Sequence, residues 1–403
     1  MENREIPKGW RETTLDNIAR IHNATRIPLS SAQRVLRQGK YPYYGASGII
    51  DNIDDYLFEG EFVLISEDGE NLNTRKTPIA FKAKGKFWVN NHAHIVQGLT
   101  PFLNDYIVYY LQKTNLSPFI TGAAQPKLSK ENLLKIPFII PENFDEIEAI
   151  SNVLSSLDEK IELLEEENKT LETLAQTIFT EWFVNFNFPG ATGEMEDSEL
   201  GDIPKGWRVG KLGEVTNIKG GSTPSTKDET FWNGNISWTS PKDLSNSKSL
   251  YLLNTEKKIT LEGLKKVSSG LLPRGTLLLS SRAPIGYLAL SNIDVAINQG
   301  YIAFIEDSYF SNIYTYLWLK LNMQLVINTA NGSTFLEISK SSFRGIKCLI
   351  ATKNLLNEFQ ITISPIFVKI LNNTEQIQTL KSTRDTLLPR LTTGEIRVEG
   401  FGE

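Results

Sequence analysis

Residues 145–183 carry apolar side chains on alternating three- and four-residue spacing: Ile147, Ile150, Leu154, Leu157, Ile161, Leu164, Leu171, Ala175 and Ile178, with Asn168 in the same series. This is the a/d seam of a heptad helix. Between the seam positions lie Glu159, Lys160, Glu162, Glu165, Glu166, Glu167, Lys169 and Glu172, a set suited to a solvated face. At about 1.5 Å per residue the helix would be roughly 58 Å long. A stripe of that length needs another helix beside it. The chain supplies one near its end. Residues 355–391 repeat the spacing through Leu356, Phe359, Ile363, Ile366, Ile370, Asn373, Ile377, Leu380, Arg384, Leu387 and Leu391. Ser364-Pro365 interrupts this second stripe and predicts a kink, or a fresh helix start capped by Ser364. Asn168, Asn373 and Arg384 put polar groups in the seams, either fixing register or marking places where the helices splay.

The chain is also internally duplicated. Ile6-Pro7-Lys8-Gly9-Trp10-Arg11, followed by Leu15, Ile18 and Ile21, returns as Ile203-Pro204-Lys205-Gly206-Trp207-Arg208, followed by Leu212, Val215 and Ile218. With drifting offset, the stretch from Phe58 to Ser66 answers to Pro273 to Ser281, and Asn91-His92 to Asn298-Gln299. Leu128-Ser129-Lys130 answers to Ile338-Ser339-Lys340. Each half thus reads as an α/β (α+β) globule followed by a long helix. In the first, residues 61–66, 79–83 and 87–96 read as strands and 105–112 as a helix. In the second, 275–281, 286–290 and 301–305 read as strands and 313–328 as a helix. The boundaries are globules at 1–143 and 203–353, long helices at 144–187 and 354–393, a linker at 188–202 and a tail at 394–403. Duplicated halves that each end in a helix can pair head to tail. An antiparallel two-helix coiled coil with a globule at each end, a pseudo-two-fold dumbbell, is the expected fold.

Charge is distributed unevenly. Residues 1–141 carry a net +3, residues 142–202 a net −15 and residues 203–403 a net +7. Two basic bodies flank one acidic helix and linker, so the overall −5 conceals a distribution compatible with a polyanionic partner. Cys348 is the only cysteine, which excludes an internal disulfide and a cysteine-based zinc site and suits a reducing, cytoplasmic compartment. No apolar run reaches the roughly 18 residues of a membrane span, and residues 1–7 lack the apolar core of a secretory signal. Walker spacing, a glycine-rich cofactor fingerprint, an Asn-Pro-Pro-Tyr-like methyltransferase motif and a Ser/His/Asp arrangement are all missing.

Several of these stretches resemble the specificity (S) subunit of type I restriction–modification enzymes. The resemblance rests on the twice-repeated Ile-Pro-Lys-Gly-Trp and the two globule-plus-helix halves. Lys219-Gly220-Gly221-Ser222-Thr223-Pro224-Ser225, Phe231-Trp232-Asn233-Gly234-Asn235-Ile236-Ser237-Trp238, Ser281-Arg282-Ala283-Pro284-Ile285-Gly286 and Asn298-Gln299-Gly300 extend it. Ser66-Glu67-Asp68-Gly69 and Asn90-Asn91-His92 occupy the matching places in the first half. The resemblance implies a non-catalytic subunit with two target-recognition domains, each reading half of a split, asymmetric double-stranded DNA sequence. It implies that the helices set the unread spacer and that two methyltransferase (M) subunits and further restriction (R) subunits bind. S-adenosylmethionine, ATP and Mg would then be used by those partners, with no cofactor on this chain and no membrane association.

Double-stranded DNA demands cations for phosphates and donors or acceptors for base edges. In the first domain Arg34, Arg37 and Lys40 lead into Tyr43, and Arg75, Lys76 and Lys84 (between Lys82 and Lys86 on one strand face) add further cations. Glu67, Asn71 and Asn73 follow a strand and match cytosine and adenine edges in chemistry; Asn91 and His92 are added by the resemblance. In the second domain the candidates are Lys219, Ser222, Thr223, Lys242, Ser281, Arg282, Asn298 and Gln299, with Arg282 placed to reach guanine or phosphate. The loop at Lys219 to Pro224 reads as flexible, with amides that could approach phosphate. Bland alternatives stand beside each reading: lysines guarding an edge strand, a turn-forming loop at 67–73, and core packing for Trp232 and Trp238. A stand-alone two-headed DNA-binding regulator, a metal-dependent nuclease using Glu67, Asp68 and Glu70, and a coiled-coil scaffold are the rival functions.

Overall fold

The heptad stripes become two helices, Phe144–Phe183 and Lys353–Thr392, in a computed structural model that describes residues 6–122, 124–245, 249–306, 308–332 and 336–401. The opening five residues and the last two of the tail lie outside the described residues. The chain divides into two compact units, residues 1–161 with 379–403, and residues 162–378. Among the described residues no helix is long and apolar enough to cross a membrane.

Within each unit one part of the first long helix lies against one part of the second. In the first unit Arg384 reaches Asp158 at 2.5 Å, Ile147 and Ile150 share a core with Leu388 and Leu391, and just past the helix end Arg397 reaches Glu146 at 2.5 Å. In the second, Asn373 meets Asn168 at 3.0 Å and Phe359 meets Phe179 with ring centroids 5.9 Å apart. Numbers rise along one helix as they fall along the other, so the pairing in each unit is antiparallel. Leu154, Ile161, Leu164, Ile370 and Ile377 are buried in the seam, and Leu157, Leu171, Leu380 and Leu387 are half-buried. At the end of the first helix the seam moves from Ile178 to Phe179 and Phe183, both buried. A straight helix drifts off a strict seven-residue repeat, and two large rings at i, i+4 follow that drift.

The expected fresh start at Ser364 does not occur. The helix runs on through Pro365, and Ser364 donates its hydroxyl to the Gln360 carbonyl at 2.6 Å instead of capping. Proline removes the amide that would have reached Ile361, an exposed residue whose carbonyl water can satisfy.

The first unit holds a six-stranded sheet in the order Ala19–Ile21, Ala93–Gly98, Phe58–Ser66, Ala80–Val89, Gln38–Gly45, Gly48–Ile53. Neighbours are antiparallel except where Tyr43 and Tyr44 run parallel to Trp88 and Val89. The second unit repeats the first four places with Asn217–Lys219, Tyr301–Ile305, Leu277–Ser281 and Ile285–Ser291, and adds Tyr251–Leu252 in parallel. Each unit also pairs the strand at its Trp with the strand before its long helix: Trp10–Thr13 with Phe138–Pro141, and Arg208–Lys211 with Lys347–Ile350.

Two expectations are corrected here. The strands expected at 79–83 and 87–96 are Ala80–Val89 and Ala93–Gly98. Lys84-Gly85-Lys86 does not break the first, because Gly85 sits opposite Gly60 and both take positive φ, a pairing only glycine makes without strain. The internal repeat also shifts by one residue in the central strand. Ser66 pairs with Ala93 as Ser280 pairs with Tyr301, so Ser66 corresponds to Ser280, not Ser281. A one-residue slip exchanges the faces of a strand, and pairing rather than hydrophobicity decides it.

The Asn168–Asn373 amide pair is half satisfied: Asn373 is fully buried and its Oδ1 has no partner, while its Nδ2 donates to Asn168 and Glu167. An unpaired buried acceptor offsets what the paired donor contributes. Replacing both asparagines with leucine should leave the urea midpoint unchanged or raise it. Phe359→Ala should cost about 3–5 kcal/mol. A loss above about 2 kcal/mol in the double-leucine chain would make the amides net stabilisers.

Candidate nucleic-acid interface

The candidate loops of the first domain hang from the end of the strand Phe58–Ser66. Glu67 donates its amide to the His92 carbonyl at 2.9 Å and accepts Leu128 N–H at 2.8 Å, so three separate segments meet there. The Glu67 carboxylate is turned inward: Arg26 holds it at 2.6 Å and Lys127 lies 3.4 Å away, leaving 12% of the side chain exposed. Burial raises its pKa, but the Arg26 hydrogen bond and the charges of Arg26 and Lys127 help bring it below the usual carboxylate value. Glu67 therefore has no free edge to offer a base. The nuclease alternative loses its ligands for the same reason, since Asp68 binds His92. Among the described residues no three of His, Cys, Asp and Glu gather as a metal site.

His94 ties the segments of this corner together. It is wholly buried, with Nε2 2.7 Å from the Leu128 carbonyl and Nδ1 2.8 Å from the Asn23 side-chain amide. A carbonyl only accepts, so Nε2 carries the proton and Nδ1 accepts from Asn23. Burial, foremost, pushes the His94 pKa below its ordinary value.

The cationic candidates divide by use. Arg34 is tied to Asp51 at 3.0 Å and lies over the Tyr43 ring, and Arg37 is tied to Asp54 at 2.9 Å over Trp88. Tyr43 is fully buried, its hydroxyl accepting Leu29 N–H, and so cannot meet DNA. Arg75 caps the helix Pro101–Lys113 through the carbonyls of Gln112 and Thr114. Lys84 pairs across the sheet with Glu61 at 3.0 Å, Lys82 reaches Asp105 on the helix Pro101–Lys113, and the lysine strand is interior to the sheet, not an edge. Asn71 clamps Thr77 through both amide groups. Lys40, Lys76, Asn73, Asn91 and His92 are exposed.

In the second domain Ser222, Thr223, Asn298 and Gln299 come together. Thr223 donates to the Gln299 side chain at 2.7 Å, and Asn298 accepts Gly300 N–H at 2.8 Å. The glycine loop is packed rather than open: a Cβ on Gly221 would lie 1.9 Å from the Ile297 carbonyl oxygen, and Ser222 donates its amide to that same carbonyl. Ser222 N–H is thus committed and not available to phosphate. Ser281 is enclosed, its backbone bonded to Gly300 and Ile338. Lys242 pairs with Glu256 at 3.2 Å, whereas Lys219 is exposed. Arg282 is half-exposed beside Glu337 at 3.7 Å. Trp232 and Trp238 pack edge to face, as core residues do. Lys127 and Glu337, each just before the repeated Leu/Ile-Ser-Lys, escaped sequence reading although the repeat marked their neighbourhood.

Two like-folded α/β domains on one chain, each with polar side chains on loops beyond its central sheet, define a duplicated α/β protein. A sequence model of the type I restriction modification DNA specificity domain matches residues 7–173 and again 204–382. The chain belongs to that family. It is 38% identical over 156 residues to the type I restriction enzyme MjaIX specificity subunit of Methanocaldococcus jannaschii, covering 38% of this chain and 36% of that relative. To the type I restriction enzyme HindI specificity subunit of Haemophilus influenzae it is 24% identical over 330 residues, covering 67% of this chain and 71% of the relative. The crystal structure of the type I restriction–modification system S subunit from M. genitalium shares the fold, with TM-score 0.63, 15% identity and 97% of each chain covered.

His94 titrates against folding. Its folded pKa lies below the unfolded value of about 6.5, so its contribution is complete above that pH and is lost as pH falls. Glu67, also lowered, acts in the same direction but only near and below its own unfolded value of about 4.3. His94→Gln can make both hydrogen bonds without titrating. It should flatten the fall in thermal midpoint between pH 7 and 5; an unchanged slope would remove His94 as its cause.

Proposed function

We propose that this chain is the non-catalytic DNA sequence-specificity subunit of a type I restriction–modification complex. Each α/β domain reads one half of a split, asymmetric target. The long helices set the unread spacer and dock two methyltransferase subunits, and restriction subunits join that assembly in the cytoplasm. S-adenosylmethionine, ATP and Mg serve those partners. The observation that carries this reading is the repeat of one sheet order in two domains whose loop side chains differ. A common frame with different polar groups is what two unlike half-sites require.

Co-expression with a methyltransferase subunit from the same genome, followed by single-molecule mapping of methylated adenines, tests the proposal. A split motif of fixed gap should appear only when this chain is present. Removing one heptad from each long helix should shorten the gap and leave both half-sites intact. Methylation unchanged without the chain would favour the stand-alone regulator, and an unchanged gap would remove the spacer role.

A further inference from the structure

The two domains hold the end of their central strand in one hydrogen-bond frame. Glu67 N–H donates to the His92 carbonyl as Ser281 N–H donates to that of Gly300. Leu128 N–H donates to the Glu67 carbonyl as Ile338 N–H does to that of Ser281. Asp68 bridges Lys127 and Thr121 bridges Lys127, as Arg282 bridges Glu337 and Asn331 bridges Glu337. Asp68 therefore corresponds to Arg282, and Lys127 to Glu337. The frame is kept while the charges are exchanged.

In the first domain both Asp68 oxygens lie 2.9 Å from Nδ1 of His92. Asp68 is 16% exposed and His92 47%, so the ring is the accessible member. A carboxylate only accepts, which puts the neutral ring's proton on Nδ1 and leaves Nε2 as an acceptor. Phosphate offers only acceptors and cannot pair with an accepting Nε2, so it is a poor match for that nitrogen. A base amino group is a good one. In the second domain the guanidinium of Arg282, 38% exposed, has Glu337 at 3.7 Å, beyond hydrogen-bond length, and among the described residues no hydrogen bond takes up its forked donors.

We infer that these corresponding corners are the base-reading positions of the two domains and that they ask for opposite groups. His92, held by Asp68 as a positioning residue, accepts from the amino group of adenine or cytosine in one half-site. Arg282, steadied by Glu337, donates to guanine O6 and N7 in the other. The inference rests on the DNA-specificity reading above.

The test uses the full chain with its methyltransferase and reads the methylated motif. His92→Ala should relax one amino-bearing base in a single half-site roughly tenfold or more, and Arg282→Ala should relax one guanine in the other by a similar factor. Asp68→Asn should loosen the same base as His92→Ala. His92→Gln and Arg282→Lys, which keep a polar group in place, guard against simple misfolding and should retain the motif with weaker preference at those positions. A uniform drop across all sites, or no change in base preference, would overturn the inference while the split motif of the unaltered chain still stood. An unaltered chain that yields no motif would overturn the proposed function and this inference with it.

Discussion

The apolar stripe of the two long helices is the constraint on which the other packing depends. In the first unit residues 144–161 meet residues 379–392, and in the second residues 162–183 meet residues 353–378. The stripe is not covered by helix alone. Ile147, Ile150 and Leu154 share one core with Tyr106, Ile107, Phe138, Leu388 and Leu391. Ala175, Phe179 and Phe183 share another with Trp207, Tyr314, Phe359 and Ile363. A seam shared with a domain core cannot slide as a free coiled coil can, because each shift of register would expose domain residues as well. The first unit is consequently assembled from distant parts of the chain, and the second from one continuous segment.

Polar groups along the seam act within this constraint. Asp158 accepts from both Arg384 and Tyr109, linking two helices and the domain in one network. Glu146, 1% exposed, is neutralised by Arg397, which also reaches the Lys8 carbonyl and lies over the Trp10 ring. Glu172 accepts from Tyr316, and Glu167 pairs with Lys369 at 3.3 Å. Three carboxylates of the acidic stretch 142–202, those of Glu146, Asp158 and Glu167, are therefore structural, answered by Arg397, Arg384 and Lys369. A purely solvated acidic face would not have required them.

The seams, the duplication and the existence of the two long helices were legible because a heptad period and a repeated Ile-Pro-Lys-Gly-Trp depend on local pattern alone. The hairpin Gln38–Gly45 and Gly48–Ile53 was not, because its tyrosines and lysine resembled a surface cluster; only the parallel contact with Trp88 and Val89 makes it part of the sheet. Ser364-Pro365 misled because a lost amide is costly only where water cannot replace it. Among site residues, sequence could not separate cations with carboxylates across the sheet, such as Lys84 with Glu61, from cations free to meet a partner. That distinction lives in strand register, which no single-strand pattern specifies.

Register also explains how one frame can support two chemistries. The bonds that pair Asp68 with Lys127 and Arg282 with Glu337 are made by backbone, so the pairing itself does not dictate the side chains at those positions. Asp68 can become Arg282, and Lys127 can become Glu337, without disturbing the pairing that positions them. Residues buried just beneath do not have that freedom. His94, whose place the second domain fills with Ile302, must be matched by Asn23 and by the Leu128 carbonyl to be tolerated at all. Divergence confined to the loop tips changes what is bound; divergence one layer down has to be compensated by partners. A duplicated chain that separates these layers can alter the loop tips of either half without disturbing the buried layer beneath.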